Sequence, residues 1–285
     1  MRQVALLLLL LAASCGNSLV PQNPTPPTGS DVELAPPPAD SDARLKWAID
    51  GPHRSPRNRA RDVYRHPFET LTFFGIKKNM TVVELWPGGG WYTEILAPFL
   101  RDEGKLRVTN YDPATAQGES KSYATQFEQK LSATPGLYGK VEVLHVAPPS
   151  SIGLGPDGSA DLVLTFRNVH NWLQGGFDKQ VFEAAYKVLK PGGILGVVEH
   201  RADPGTDPKK GDEAGYVPEQ FVLDLAKSVG FKLAGRSDVN ANPKDDHKHE
   251  GGVWALPPVF RNGDKDHDKY AAIGESDRMT LKFQK

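Results

Sequence analysis

The sequence predicts an α/β domain in which a largely parallel sheet is covered by helices on both faces. Three observations point there. After Arg44 short apolar runs of strand character alternate with amphipathic helical stretches. One of those runs ends directly in a glycine cluster that opens a helix. The chain has 285 residues and 39% hydrophobic content, enough for one core of generous size.

Taken in order, Asn79 to Leu85 (N-M-T-V-V-E-L) reads as a buried strand that stops at Pro87-Gly88-Gly89-Gly90. A helix follows from Trp91 and is limited or kinked at Pro98, which has no N–H and crowds the preceding turn. Leu106 to Asn110 and Val141 to Val146 are the second and third strands, Asp161 to Phe166 the fourth, and Ile194 to Glu199 the fifth. Between the last two, a helix carries Val181, Phe182, Ala185, Val188 and Leu189 on one face, and Lys190-Pro191-Gly192-Gly193 stops it. A later helix puts Phe221, Val222, Leu225, Ala226 and Val229 on one stripe, with Gly230 in the C-cap place. Phe231 to Gly235 and Met279 to Phe283 close the chain as two further strands. Asn240 to Ser276 is long, polar and charged, and reads as a lid, a disordered insertion or a loop with a short helix.

The amino-terminal residues carry a different message. Arg2 is followed by the apolar run Val4 to Ala13, too short to span a bilayer, then by Ala12, Ala13, Ser14 and Cys15. This reads as a secretory signal, and it is similar to the bacterial lipoprotein signal in which the cysteine is diacylated. Ala12 stands where that signal carries a branched aliphatic residue, so cleavage after Ser14 without lipidation is the alternative. Cys15 is the only cysteine, which excludes a disulfide within the chain. From Asn17 to Asp42 the chain is polar and proline-rich and reads as a semi-extended spacer. The expected organisation is therefore a signal over 1–15, a spacer over 16–43 and one domain over 44–285 with a polar insertion at 240–276. The expected place is the periplasm, tethered to a membrane only through Cys15.

Formal net charge is -1, so no general affinity for polyanions follows and no nucleic-acid partner is expected. The arginine-rich stretch Arg54 to Arg65 reads as a solvated amphipathic helix. His247 and His249 with Asp245, Asp246 and Glu250 have metal-ligand chemistry, but a solvated loop is the preferred reading and no metal is predicted. Neither a G-x-S-x-G elbow nor a cysteine nucleophile supports covalent hydrolase chemistry.

Gly88, Gly89 and Gly90 stand where a backbone must approach a nucleotide closely and where helix N–H groups are free. A dinucleotide fingerprint fails, because its third glycine would fall at Thr93. Measured from Glu84 at the strand end, glycines stand four and six residues on, the E-x-G-x-G-x-G spacing with Trp86 in the first glycine slot. The run V-V-E-L-W-P-G-G-G-W-Y-T-E-I-L resembles the first motif of class I S-adenosylmethionine-dependent methyltransferases, and V-L-K-P-G-G-I-L-G-V-V-E-H-R resembles their motif leading into the fifth strand. The likeness extends from Trp47 to Lys285 and is to a branch of predicted exported methyltransferases. Those share Y-R-H-P-x-E (Tyr64 to Glu69), W-P-G-G-G-W-Y-T, R-N-x-H and E-S-D-R.

The resemblance implies a Rossmann-like, seven-stranded, mostly parallel sheet with an antiparallel last strand, and S-adenosylmethionine as cofactor. It implies that Gly88, Gly89 and Gly90 carry the backbone under the cofactor, and that Glu84 orients its amino group through water. Asn110 and Asp112 would meet the ribose, and Trp86 would offer an aromatic wall; core packing is the alternative for Trp86 and for Trp91. Val146-Ala147-Pro148 stands where an acid usually reads the adenine. Arg167, Asn168 and His170 would face the transferred methyl group, with His170 as general base or as a structural histidine. Glu199, His200 and Arg201 share that sheet edge for topological reasons, and His200 is a further catalytic candidate. The leading expectation is methyl transfer by a monomer to a small molecule or an envelope component. The alternative is a non-catalytic ligand-binding or interaction protein on the same scaffold.

Overall fold

The computed structural model describes residues 34–285. The signal, Cys15 and most of the spacer lie outside the described residues. The first helix, α1 (Ser41–Asp50), begins slightly ahead of the expected domain boundary, with Asp40 accepting from the Ala43 N–H as its N-cap. Short helices α2 (Pro56–Arg59), α3 (Asp62–Arg65) and α4 (Pro67–Phe74) lead to β1 (Thr81–Leu85). Then come α5 (Thr93–Leu100), β2 (Lys105–Tyr111), α6 (Gly118–Ala133), α7 (Pro135–Tyr138) and β3 (Glu142–Val146). The second half runs β4 (Ala160–Phe166), α8 (Val169–Gly175), α9 (Asp178–Val188), β5 (Leu189–His200), α10 (Pro208–Gly211), α11 (Glu219–Val229) and β6 (Lys232–Ser237). The chain closes with α12 (His267–Ile273) and β7 (Arg278–Gln284).

The seven strands form one sheet in the order β3-β2-β1-β4-β5-β7-β6. β1 to β5 are parallel, and β7 runs antiparallel to both β5 and β6. This is the Rossmann-like sheet the sequence predicts. Central strands buried on both faces read as continuous apolar runs, which is why T-V-V-E-L and A-D-L-V-L-T-F were legible. One apolar layer packs Leu45, Leu71, Ile95, Phe99 and Phe127 of α1, α4, α5 and α6 on the sheet. The other packs Trp172, Val181, Phe182, Val222 and Ala226 of α8, α9 and α11. Among the described residues no helix is long and apolar enough to cross a membrane.

Three local expectations change. Pro98 does not end α5, which runs on to Leu100. The carbonyl of Glu94, one turn before Pro98, receives His53 Nε2 at 2.8 Å in place of the missing N–H. The turn at Lys190 to Gly193 stops α9 but lies inside β5 as an irregularity of its pairing with β4. Arg54 to Arg65 is not a solvated helix. Arg54 is buried in a bidentate pair with Asp62, Arg65 is buried against Glu275, and both guanidiniums lie over Trp91.

Candidate active site

Parallel strands deliver their carboxyl ends to one edge, and there the motifs meet. β4 ends at Phe166; Arg167 turns the chain with a left-handed φ of 62°, and α8 starts behind Asn168. β5 ends at Glu199 and His200 one strand away. Both Glu199 oxygens are engaged: Oε2 accepts from the Val169 N–H, and Oε1 from the His200 N–H at 2.8 Å and from His170 Nδ1 at 3.0 Å. An acceptor-only carboxylate fixes the His170 tautomer, with the proton on Nδ1 and the lone pair on Nε2. Glu199 is fully buried and His170 nearly so.

His200 lies with its ring 5.5 Å from that of His170, and its Nδ1 is 2.5 Å from Ser276 Oγ. Burial first, then the neighbouring His170 ring and the charges of Arg167, Arg278 and Arg65, holds its pKa well below the usual histidine range. It is therefore neutral at neutral pH. His170, Glu199 and His200 have ligand atoms close enough for a metal ion, but the Glu199 oxygens are already taken by protein donors.

The first strand's loop is shaped by the same edge. Trp86 has φ 41°, a left-handed conformation that costs a side-chain-bearing residue about 1 kcal/mol or more. Its N–H donates to Thr109 Oγ1, and its indole packs on Trp172, Tyr111 and Phe177. Gly88 has φ 58° and a Cβ there would meet nothing within 4 Å, so the backbone is open to a ligand. At Gly90 (φ 77°) a Cβ would lie 3.0 Å from the Phe127 ring and 3.3 Å from Lys130 Nζ. That glycine makes room for α6, and Lys130 Nζ reaches the Gly89 carbonyl at 2.8 Å.

Several expected ligand contacts are placed differently by the fold. Glu84 is 1% exposed and accepts from Thr93 Oγ1 at 2.7 Å. Asn110 Nδ2 donates to the Ala124 carbonyl at 3.1 Å and to Glu128 at 3.0 Å, so its amide is committed to α6. Among the described residues its Oδ1 has no donor, and Asp112, which takes the Ala114 N–H on Oδ1, keeps Oδ2 free. Two acceptors remain for the hydroxyls of a ribose, which can donate to both. Asn168 donates to the Leu85 carbonyl at 2.9 Å, the Trp86 carbonyl at 3.3 Å and Thr165 Oγ1 at 3.2 Å. It ties β1 to β4 and does not reach outward.

The 240–276 insertion is ordered over this edge. Asp245 and His249 are buried, which corrects the solvated-loop reading. Asp245 accepts from Tyr216 Oη, His249 Nε2 and the N–H groups of His247 and Asp277. Trp254 comes within 6.0 Å of the His170 ring, so part of the insertion roofs the histidine pair. With Asp246, Asp245 and His249 form a second group of metal-ligand type, in which Asp245 is taken by protein donors and His249 Nδ1 is buried without a hydrogen-bond partner. What sequence reasoning missed is the junction of Y-R-H-P-x-E with E-S-D-R. Arg65 pairs with Glu275 at 3.1 Å, and Arg278 reaches the Tyr64 carbonyl at 2.8 Å across more than 200 residues.

The family model for the methyltransferase domain matches residues 83–197, from β1 to β5. Over those residues the chain is similar to a methyltransferase domain. A proposed sarcosine dimethylglycine methyltransferase from Galdieria sulphuraria has the same fold at 16% identity and TM-score 0.51, over 86% of this chain and 97% of that one. A SAM-dependent methyltransferase from Aquifex aeolicus is similar at 19% identity and TM-score 0.49, over 85% and 97%. No curated protein matches the sequence.

Proposed function

We propose that this methyltransferase domain acts on an oxygen or nitrogen nucleophile presented at the β4–β5 edge, with His170 as general base. The Glu199–His170 pair carries the reading. A buried carboxylate that holds Nδ1–H leaves Nε2 as the basic atom, and it stabilises the imidazolium formed when a proton arrives. S-adenosylmethionine, when bound, supplies a methyl group on a positively charged sulfur. The open backbone at Gly88 and the acceptors Asn110 Oδ1 and Asp112 Oδ2 would hold it, and the ring of Trp86 suits a cation. His170 Nε2 would take the acceptor's proton as the nucleophile displaces the neutral thioether, the carbon–sulfur bond breaking as the new bond to carbon forms. Trp254 and the roof above it limit water at the pair.

The test has two arms. S-adenosylmethionine or its demethylated product should bind, by calorimetry, and methyl transfer to envelope extracts should be traced with a labelled methyl group. His170→Ala should lower transfer by about two to four orders of magnitude with little change in cofactor affinity. A folded His170→Ala variant that transfers at the parental rate would rule the base out. The second reading, a binding protein on this scaffold, is favoured by one observation: the Asn110 amide is turned into α6. A folded protein that binds no cofactor at millimolar concentration would select it.

We further propose that the mature protein is exported and held at a membrane by a lipid on Cys15, acting on a small molecule or an envelope component. Support is the apolar run ending in that cysteine and the proline-rich stretch behind it. Mass spectrometry of the mature amino terminus tests this, and an unmodified Cys15 would refute it.

A further inference from the structure

Beside the histidine pair lies a concentration of positive charge that the proposed proton transfer does not use. Arg61, Arg65 and Arg278 converge on the single carboxylate of Glu275, through Arg61 Nε at 2.5 Å, Arg65 Nε at 3.1 Å and Arg278 Nη1 at 3.1 Å. Arg65 and Arg278 are almost wholly buried, as is Glu275. Arg167 adds a fourth guanidinium. Among the described residues its side chain makes no hydrogen bond and no ion pair, although Arg61, Arg65 and Arg278 all act on its charge. Arg65 Nη1 is buried without a hydrogen-bond partner. Four cations thus share one anion, and the nearest other carboxylates are engaged elsewhere: Asp277 with Arg201 and Glu199 with His170.

A buried guanidinium without a partner costs several kcal/mol, and like charges beside it add to the cost. Arg65 Nη1 is such a group; Arg167 is only half-buried, and desolvation with the neighbouring arginines lowers its pKa. Such a cluster is stable when an oxyanion completes it, since a planar fork matches a carboxylate or phosphate in bidentate fashion.

We propose that Arg167, Arg65 and Arg61, braced by Arg278 and Glu275, bind an oxyanionic group of the methyl acceptor. The assignment rests on the methyl-transfer reading for the word acceptor, but not for the site itself. Position favours the acceptor: the Arg167 N–H donates to the Val198 carbonyl at 2.7 Å, two residues before His200, and Arg278 stands opposite His200 in the β5–β7 register. His170 is the neighbour of His200 there, with the two rings 5.5 Å apart. A carboxylate or a phosphate ester would satisfy the site, whereas a neutral acceptor would leave its charge unmatched.

Inorganic phosphate and acetate are the probes, titrated by calorimetry at low ionic strength with chloride as control. The parent protein should bind at least one of them more tightly than chloride. Arg167→Gln should weaken that binding about tenfold or more, and Arg167→Lys by less, because a lysine keeps charge but loses the fork. Arg167 holds no protein group through its side chain, so the variant should fold, and circular dichroism with a melting curve checks this. Titrations are repeated with S-adenosylhomocysteine present. Independent binding of anion and cofactor product supports an acceptor site; mutual exclusion would assign the arginines to the cofactor's own carboxylate and overturn the proposal. Equal affinity in Arg167→Gln, or no preference over chloride, would also overturn it. Anion binding without any S-adenosylhomocysteine binding would leave the oxyanion site standing and sink the methyl-transfer reading instead.

Discussion

Glu84→Gln separates a cofactor ligand from a buried structural acid. Glu84 closes β1 in the place where the motif puts a cofactor-orienting carboxylate, yet it is 1% exposed with one hydrogen bond, from Thr93 Oγ1 at 2.7 Å. Burial pushes its pKa from 4.5 up to about 7, opposed by the Thr93 bond and by Lys130. The folded state therefore holds a proton that the unfolded state has released, and stability falls as pH rises from 4.5 to about 7. At about 1.4 kcal/mol per unit, the ionised form costs on the order of 3 kcal/mol above that range. Glutamine keeps the shape and the acceptor for Thr93 but never ionises. Urea denaturation should show the variant gaining on the parent by about that amount between roughly pH 5 and pH 8, with S-adenosylmethionine affinity within a few-fold of the parent. A stability difference that does not change with pH would refute the burial argument. A loss of cofactor binding of about 100-fold would restore Glu84 as a ligand.

Three further outcomes follow from the same edge. Gly88→Ala should cost about 1 kcal/mol from its left-handed φ, whereas Gly90→Ala adds a contact 3.0 Å from Phe127 and should cost about 2 kcal/mol or more by thermal melting. If the two melt alike, α6 does not press on Gly90. Asn168→Ala removes two hydrogen bonds that join the β4 end to the β1 end and a third to Thr165 within β4, and should destabilise by about 2 kcal/mol; a change in the Michaelis constant alone, at full stability, would put it back among acceptor-positioning residues. His247 is held up to about 9, first by the Asp277 carboxylate 3.5 Å from its Nε2 and despite burial, with the Asp203 hydrogen bond on Nδ1 adding to the rise. Its contribution to stability is complete below the ordinary 6.5 and is lost as pH climbs through 9, so His247→Gln should flatten stability over that window. An unchanged profile would mean the roof of the site does not depend on this charge.

The sequence by itself determined the architecture, because the signals for it are local. Strands buried on both faces must be apolar along their length, α9 and α11 must show a helical stripe, and a left-handed C-cap at Gly230 must be glycine. The glycine loop after β1 and the motifs after β4 and β5 were legible for the same reason, and parallel topology sends them to one edge. Tertiary structure decided what each side chain faces. Nothing near Asn110 in sequence says that α6 would claim its amide, and nothing near Gly90 says that its empty side is filled by Phe127. Arg54 and Arg65 look like a solvated charge run until Asp62, Trp91 and Glu275 are seen to surround them. The partners of Asp245 likewise come from Tyr216 and Asp277, brought together only when β7 pairs beside β5. A buried charge is made tolerable by partners distant in the chain, and no local pattern encodes them.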